Sequence, residues 1–126
     1  MGNSTKPDQE GRGLAQVAYI RDEELNFEGL VMEDAGDTFE IQRSLTIDDQ
    51  DRALGWDTYC LVLGGGPTFY GGVLGWHLSE DHLLHLSLSQ EAAAELGLPG
   101  TRFAFPVGGD GAQAVRAHLA RLLTES

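Results

Sequence analysis

The chain predicts an α+β fold, a mostly antiparallel sheet of about six to seven strands with a C-terminal helix and one or two short helices packed on it. Three observations carry that expectation. Short segments alternate apolar and polar residues with period two, turn-forming residues separate them, and the end of the chain changes to a helical period. The strands are expected at residues 14–21, 25–33, 38–44, 58–63, 68–78, 82–88 and 101–105. Asp22-Glu23-Glu24, Asp34-Ala35-Gly36-Asp37, Gly64-Gly65-Gly66-Pro67 and Glu80-Asp81 supply the turn chemistry between several of them, mostly as hairpin links. Gly71-Gly72, inside the fifth segment, marks a bulge or a close backbone approach that shapes an edge.

Helix signals come next. Thr46 with Asp49 has capping-box spacing and Gly55 closes the turn or two that follow, which predicts a small helix between the third and fourth strands. Ser89 caps a second helix over 90–96, with Glu91 in its positive first turn and Gly97-Leu98-Pro99 as its stop. Asp110 and Gln113 open the C-terminal helix, and Ala112, Val115, Leu119, Leu122 and Leu123 form one apolar stripe that should pack on the sheet. The other sheet face is left to water or a partner. Phe27, Phe39, Ile41, Tyr59, Leu61, Leu84, Leu86, Leu88, Phe103 and Phe105 are the expected core, and truncating one to Ala should cost about 2–5 kcal/mol. Residues 1–13 have almost nothing to bury and read as a disordered leader, which leaves 14–126 as a single domain.

At 126 residues the chain can bury a core without staples, and a lone cysteine, Cys60, forms no intramolecular bridge. A formal net charge of −12 opposes binding to nucleic acid and to anionic membranes. No apolar run approaches the ~20 residues that span a bilayer, and no apolar stretch follows Lys6 as a secretory signal requires. A cytoplasmic location is expected.

Catalytic signals are sparse. The glycine loop at 64–67 runs into Pro67 and a strand, with no helix start or lysine to cradle phosphate. There is no nucleophile-elbow motif, and Cys60 sits in an apolar strand that disfavours a thiolate. His77, His82 and His85 lie near Asp81, yet positions 82 and 85 of a strand face opposite ways, so a metal site there would need help from elsewhere. A small metal-dependent enzyme or ligand-binding domain on these histidines is one alternative function, and a homo-oligomeric module using an exposed edge near Gly71-Gly72 is another.

Charge placement is more informative. Between Asp22 and Asp57 twelve acids stand against Arg43 and Arg52, a local net of −10. Such a region is either a solvated surface or a polyanion-like face that steers a basic partner into place. Trp56, Tyr59, Tyr70 and Trp76 flank it, with some destined for the core and others free to anchor an interface.

The stretch Asp49-Gln50-Asp51-Arg52-Ala53-Leu54-Gly55-Trp56-Asp57-Thr58-Tyr59-Cys60, then Tyr70-Gly71-Gly72-Val73, then Leu86-Ser87-Leu88-Ser89 running into Glu91-Ala92-Ala93 and Leu96-Gly97-Leu98-Pro99, resembles the immunity protein 10 family of bacterial polymorphic-toxin systems. The likeness runs from about Leu14 to Leu123, and the Gly64–Pro67 loop and the leader depart from it. It implies a largely β protein without catalytic residues or cofactor, which binds a cognate toxin domain and neutralises it. Under that expectation the partner-binding residues are Asp48, Asp49, Asp51, Trp56, Asp57 and Tyr70, with no metal.

Overall fold

The structure, a computed structural model, describes residues 15–55 and 57–123. Among them eight strands form two antiparallel sheets. The first is a five-stranded meander of β1 (Gln16–Asp22), β2 (Phe27–Asp34), β3 (Asp37–Ser44), β4 (Cys60–Leu63) and β5 (Thr68–Tyr70). The second holds β6 (Val73–Leu78), β7 (Leu83–Leu88) and β8 (Arg102–Pro106) in that order. Helix α1 (Asp49–Ala53) links β3 to β4, α2 (Gln90–Glu95) follows β7, and α3 (Gly108–Leu122) follows β8. The fold is α+β, as the alternation predicts; the leader expected at 1–13 lies outside the described residues.

The extra strand arises because 68–78 divides at Gly71-Gly72, where the chain leaves one sheet for the other. Both glycines have positive φ, +81° and +93°. Gly71 N–H donates to the Tyr59 carbonyl at 2.9 Å, Ser89 N–H donates to the Gly72 carbonyl at 2.8 Å, and Val73 N–H donates to Tyr59 Oη at 2.9 Å. A Cβ on Gly72 would lie 2.7 Å from Ala92 Cβ and 3.0 Å from the Phe69 ring. The glycines thus form a packed crossover against α2, and the strands they join, β5 and β6, are each an outer strand of their sheet.

Register decides the core. Leu30 and Met32 of β2 pair with Ile41 and Phe39 of β3, which pair with Leu61 and Leu63 of β4, so all six share one sheet face. Helix α3 lies on that face across β1 and β2 and contributes Val115, Leu119 and Leu122, all buried. Leu84, Leu86, Leu88 and Phe105 of the second sheet complete the core, with Phe103 and Phe105 packed on Phe39 at ring separations of 5.0 and 6.1 Å. Gly111 lets α3 approach β1, since a Cβ there would meet Val17 at 2.6 Å. Phe27 is the one expected core residue with the wrong parity: it alternates with Glu28, Leu30 and Met32, so it faces the other side and is half-buried.

Two helix starts also shift. Thr46 is already held by Asn26 Oδ1, which accepts from its N–H and hydroxyl at 3.1 and 3.0 Å, and the cap of α1 passes to Asp48 in a capping box with Asp51. Helix α3 begins two residues before Asp110, after buried Val107, whose N–H donates to the His82 carbonyl; no side chain caps it. Packing rather than capping sets that start.

A polar clasp fixes the far end of α3. Glu28, buried on the core face of β2, accepts from Arg121 Nη1 at 2.7 Å through each oxygen and from Tyr19 Oη at 2.6 Å. His118 stacks on the Tyr19 ring, and Arg43 Nη1 donates to the Arg121 carbonyl at 2.9 Å. Burial pushes the Glu28 carboxyl up, but the bonds from Arg121 and Tyr19 outweigh it and hold the group below its usual value of 4.5. A carboxyl depressed by folding adds stability above its unfolded pKa and loses that contribution as pH falls through the folded one. Glu28→Gln should therefore cost about 1–2 kcal/mol near neutrality, the modest size reflecting an Arg121 side chain 49% exposed. Denaturant melts should show the gap from wild type closing as pH drops below about 4.5.

Candidate functional site

Because α3 and the second sheet both lie on the core face of the first sheet, its opposite face has no covering layer among the described residues. Alternation places Ala18, Ile20, Phe27, Val31, Gln42, Cys60, Val62 and Tyr70 there. Ile20 and Tyr70 are 38% and 43% exposed.

Folding brings two of the acidic segments together at one end of this face, while Glu33, Asp34 and Asp37 lie at the β2–β3 turn at the other end. Phe27 pairs with Asp22 on one side and Ser44 on the other, so the β1–β2 turn and the loop entering α1 emerge together. Asn26 ties them: its Nδ2 donates to the Thr46 carbonyl at 3.2 Å, and its own carbonyl accepts from Leu45 N–H at 3.1 Å. Asp22, Glu23 and Glu24 of the turn thereby join Asp48, Asp49 and Asp51 of the α1 segment. Two cations meet them, Arg21 at 3.5 Å from Glu23 and Arg52 at 3.1 Å from Asp49. Leu25 and Leu54, 70% and 49% exposed, stand in the same two segments. Exposed apolar side chains ringed by like charge are the composition of a docking surface.

A hollow of about 130 Å³ lies where α1 meets the open face, lined by Phe27, Gln42, Ser44, Asp51, Thr58, Cys60 and Tyr70 together with Arg43. The Arg43 guanidinium is held by the Arg121 carbonyl on the α3 side of the sheet. Burial pushes the Tyr70 phenol up, reinforced by Cys60 and Asp51, and burial likewise raises the Cys60 thiol, with Glu40 adding to it. Thr58 Oγ1 is buried with no hydrogen-bond partner among the described residues.

Of the six residues singled out from the sequence, the structure brings Asp51 and Tyr70 into one hollow. Asp48 and Asp49 are exposed on the start of α1, and Asp57 is half-buried in the loop before β4. Trp56 lies outside the described residues. Tyr59 is buried and Trp76 packs against the core, leaving Tyr70 as the exposed aromatic of the remaining three. Sequence reasoning missed Phe27, Gln42 and Thr58, and it placed Cys60 among buried hydrophobes, whereas the thiol is half-buried on the open face.

The histidines separate. His77 and His85 pair across β6 and β7 on the outer face of the second sheet, rings stacked 4.5 Å apart, while His82 sits in the preceding turn at φ +63° beside Gly109 of α3. Among the described residues no group of three or more His, Cys, Asp and Glu could hold a metal ion. Ser79 Oγ lies 3.2 Å from His85 Nε2 and donates to Asp81, whose carboxyl this bond holds below its usual range. The Ser79 proton is thus turned toward Asp81 and away from His85, unlike that of a nucleophile bonded to its general base.

No helix among the described residues is long and apolar enough to cross a membrane. Nothing matches the chain among curated proteins or among solved structures. A family model does: the one described as Immunity protein 10 matches residues 15–113, from the start of β1 into α3 and across both sheets. With that much of its length matched, the chain belongs to the immunity protein 10 family.

Proposed function

We propose that this protein is a non-catalytic, cytoplasmic immunity protein that binds the cognate toxin domain of a bacterial polymorphic-toxin system and neutralises it. Asp48, Asp49, Asp51 and Asp57 steer a basic surface of the toxin, while Trp56 and Tyr70 anchor it. The carrying observation is the uncovered sheet face whose acidic end also exposes Leu25, Leu54 and Tyr70. Family membership supports an immunity role in general, and the acid-rimmed face supports the mode of action. Complementary potentials speed encounter, and aromatic or aliphatic anchors slow release.

Co-expression tests the reading. Cells making the toxin domain encoded beside this gene should grow when this protein is supplied and stop growing when it is withheld. Growth arrest in both cases would refute it.

A further inference from the structure

We propose that a hollow on the outer face of the second sheet is a site for a small oxyanion, a carboxylate or phosphate carried on a compact body. Register builds it. Gly75 of β6, Ser87 of β7 and Arg102 of β8 pair in one row, and His77, His85 and Ala104 of the same strands pair in the next. All six point outward, because Trp76, Leu86 and Phe103, which alternate with them, pack toward the core. Together they line a hollow of about 250 Å³. Gly75, Ser87 and Ala104 are short and leave its floor low, while the stacked imidazoles rise at one corner and Arg102 at the opposite one. Arg102 and His85 are diagonal neighbours on adjacent strands, about 7–8 Å apart, so a guanidinium and an imidazole can close on one anion from two sides. Ser87 is next to both and adds a hydroxyl.

Charge sets the sign of the ligand. Arg21, Arg52 and Arg121 each meet a carboxylate, whereas the Arg102 side chain makes no ion pair or hydrogen bond among the described residues, in a chain with 20 acids. No acid lines the hollow. Asp81, in the turn after β6, is engaged by the Ser79 hydroxyl, which stands between it and His85 Nε2. The volume falls below the ~300–1,000 Å³ of a drug-sized pocket, which fits a compact anion rather than a long one. Since the second sheet packs on the core face of the first, this outer face lies across the molecule from the open face, and the site is independent of toxin docking.

Inorganic phosphate, phenyl phosphate and benzoate are the probes, titrated into the isotopically labelled full chain at constant pH and ionic strength. Benzamide is the uncharged counterpart of benzoate. The expected result is saturable amide shifts centred on Gly75, His85, Ser87 and Arg102 with at least one anion and none with benzamide; which anions saturate tells phosphate from carboxylate. Arg102→Gln should weaken the anion by about 5- to 10-fold, between the worth of an exposed ion pair and that of a hydrogen bond to a charged group. Arg102 is exposed and holds no partner among the described residues, so this variant should melt like wild type. Gly75→Leu should abolish binding by filling the floor, and a Cβ at Gly75 meets nothing within 4 Å. Equal shifts with benzamide, no saturation with any of the three anions, or unchanged affinity in the folded variants would each overturn the proposal.

Discussion

Replacing Gly72 with Val should lower stability by about 2–5 kcal/mol and the melting midpoint by about 10 °C. Two independent costs meet at this residue. Its φ of +93° lies where a β-branched side chain is strained, and a Cβ would stand 2.7 Å from Ala92 Cβ with the Phe69 ring at 3.0 Å on the other side. Neither neighbour can yield cheaply, because Ala92 is fully buried and Phe69 packs on the core. Trimming Ala92 to Gly would ease the contact yet leave the backbone strain. Gly75, three residues on, is the control: a Cβ there meets nothing within 4 Å, and Gly75→Ala should change stability by less than about 1 kcal/mol. Equal melts for Gly72→Val and Gly75→Ala would contradict the packed crossover.

The second large effect concerns binding. Changing Asp48, Asp49, Asp51 and Asp57 together to Asn should weaken toxin binding by about 4- to 900-fold at low salt, from roughly 0.2–1 kcal/mol per charge. Most of the loss should fall on the association rate, and the variant should show a flatter dependence on ionic strength. Asn is the right replacement because it keeps the helix cap that Asp48 provides, so α1 survives the loss of charge. Surface plasmon resonance across a salt series reads both quantities. An unchanged rate and salt slope in a variant that melts like wild type would remove the acidic end from the interface.

Strand positions were legible because period-two alternation survives even where a strand is short, and seven segments in the sequence became eight strands by one division. The division was hidden: Gly71-Gly72 announces a departure from regular pairing, but only the fold shows that the departure leads into a second sheet. The face of β2 was ambiguous for a plainer reason. Leu30 and Met32 on one parity compete with Phe27 and Val31 on the other, and periodicity cannot choose between two apolar faces. The cost was Phe27, assigned to the core although it lines the candidate hollow. The acidic stretch was plain in the sequence, whereas the meeting of its segments 22–24 and 48–51 at one end of the sheet depends on the Asn26–Thr46 bonds between positions about twenty residues apart. Thr58 could not have been singled out, since an unmet hydroxyl is visible only once its surroundings are built.

Adding the purified protein in increments to the isolated toxin domain and recording the toxin's own activity is the most direct test of inhibition by occupancy. The expected titration falls linearly to zero at a fixed equivalence point, with both proteins recovered intact from the complex. Activity that persists at saturation, or that a small fraction of an equivalent abolishes by altering the toxin or its product, would contradict it.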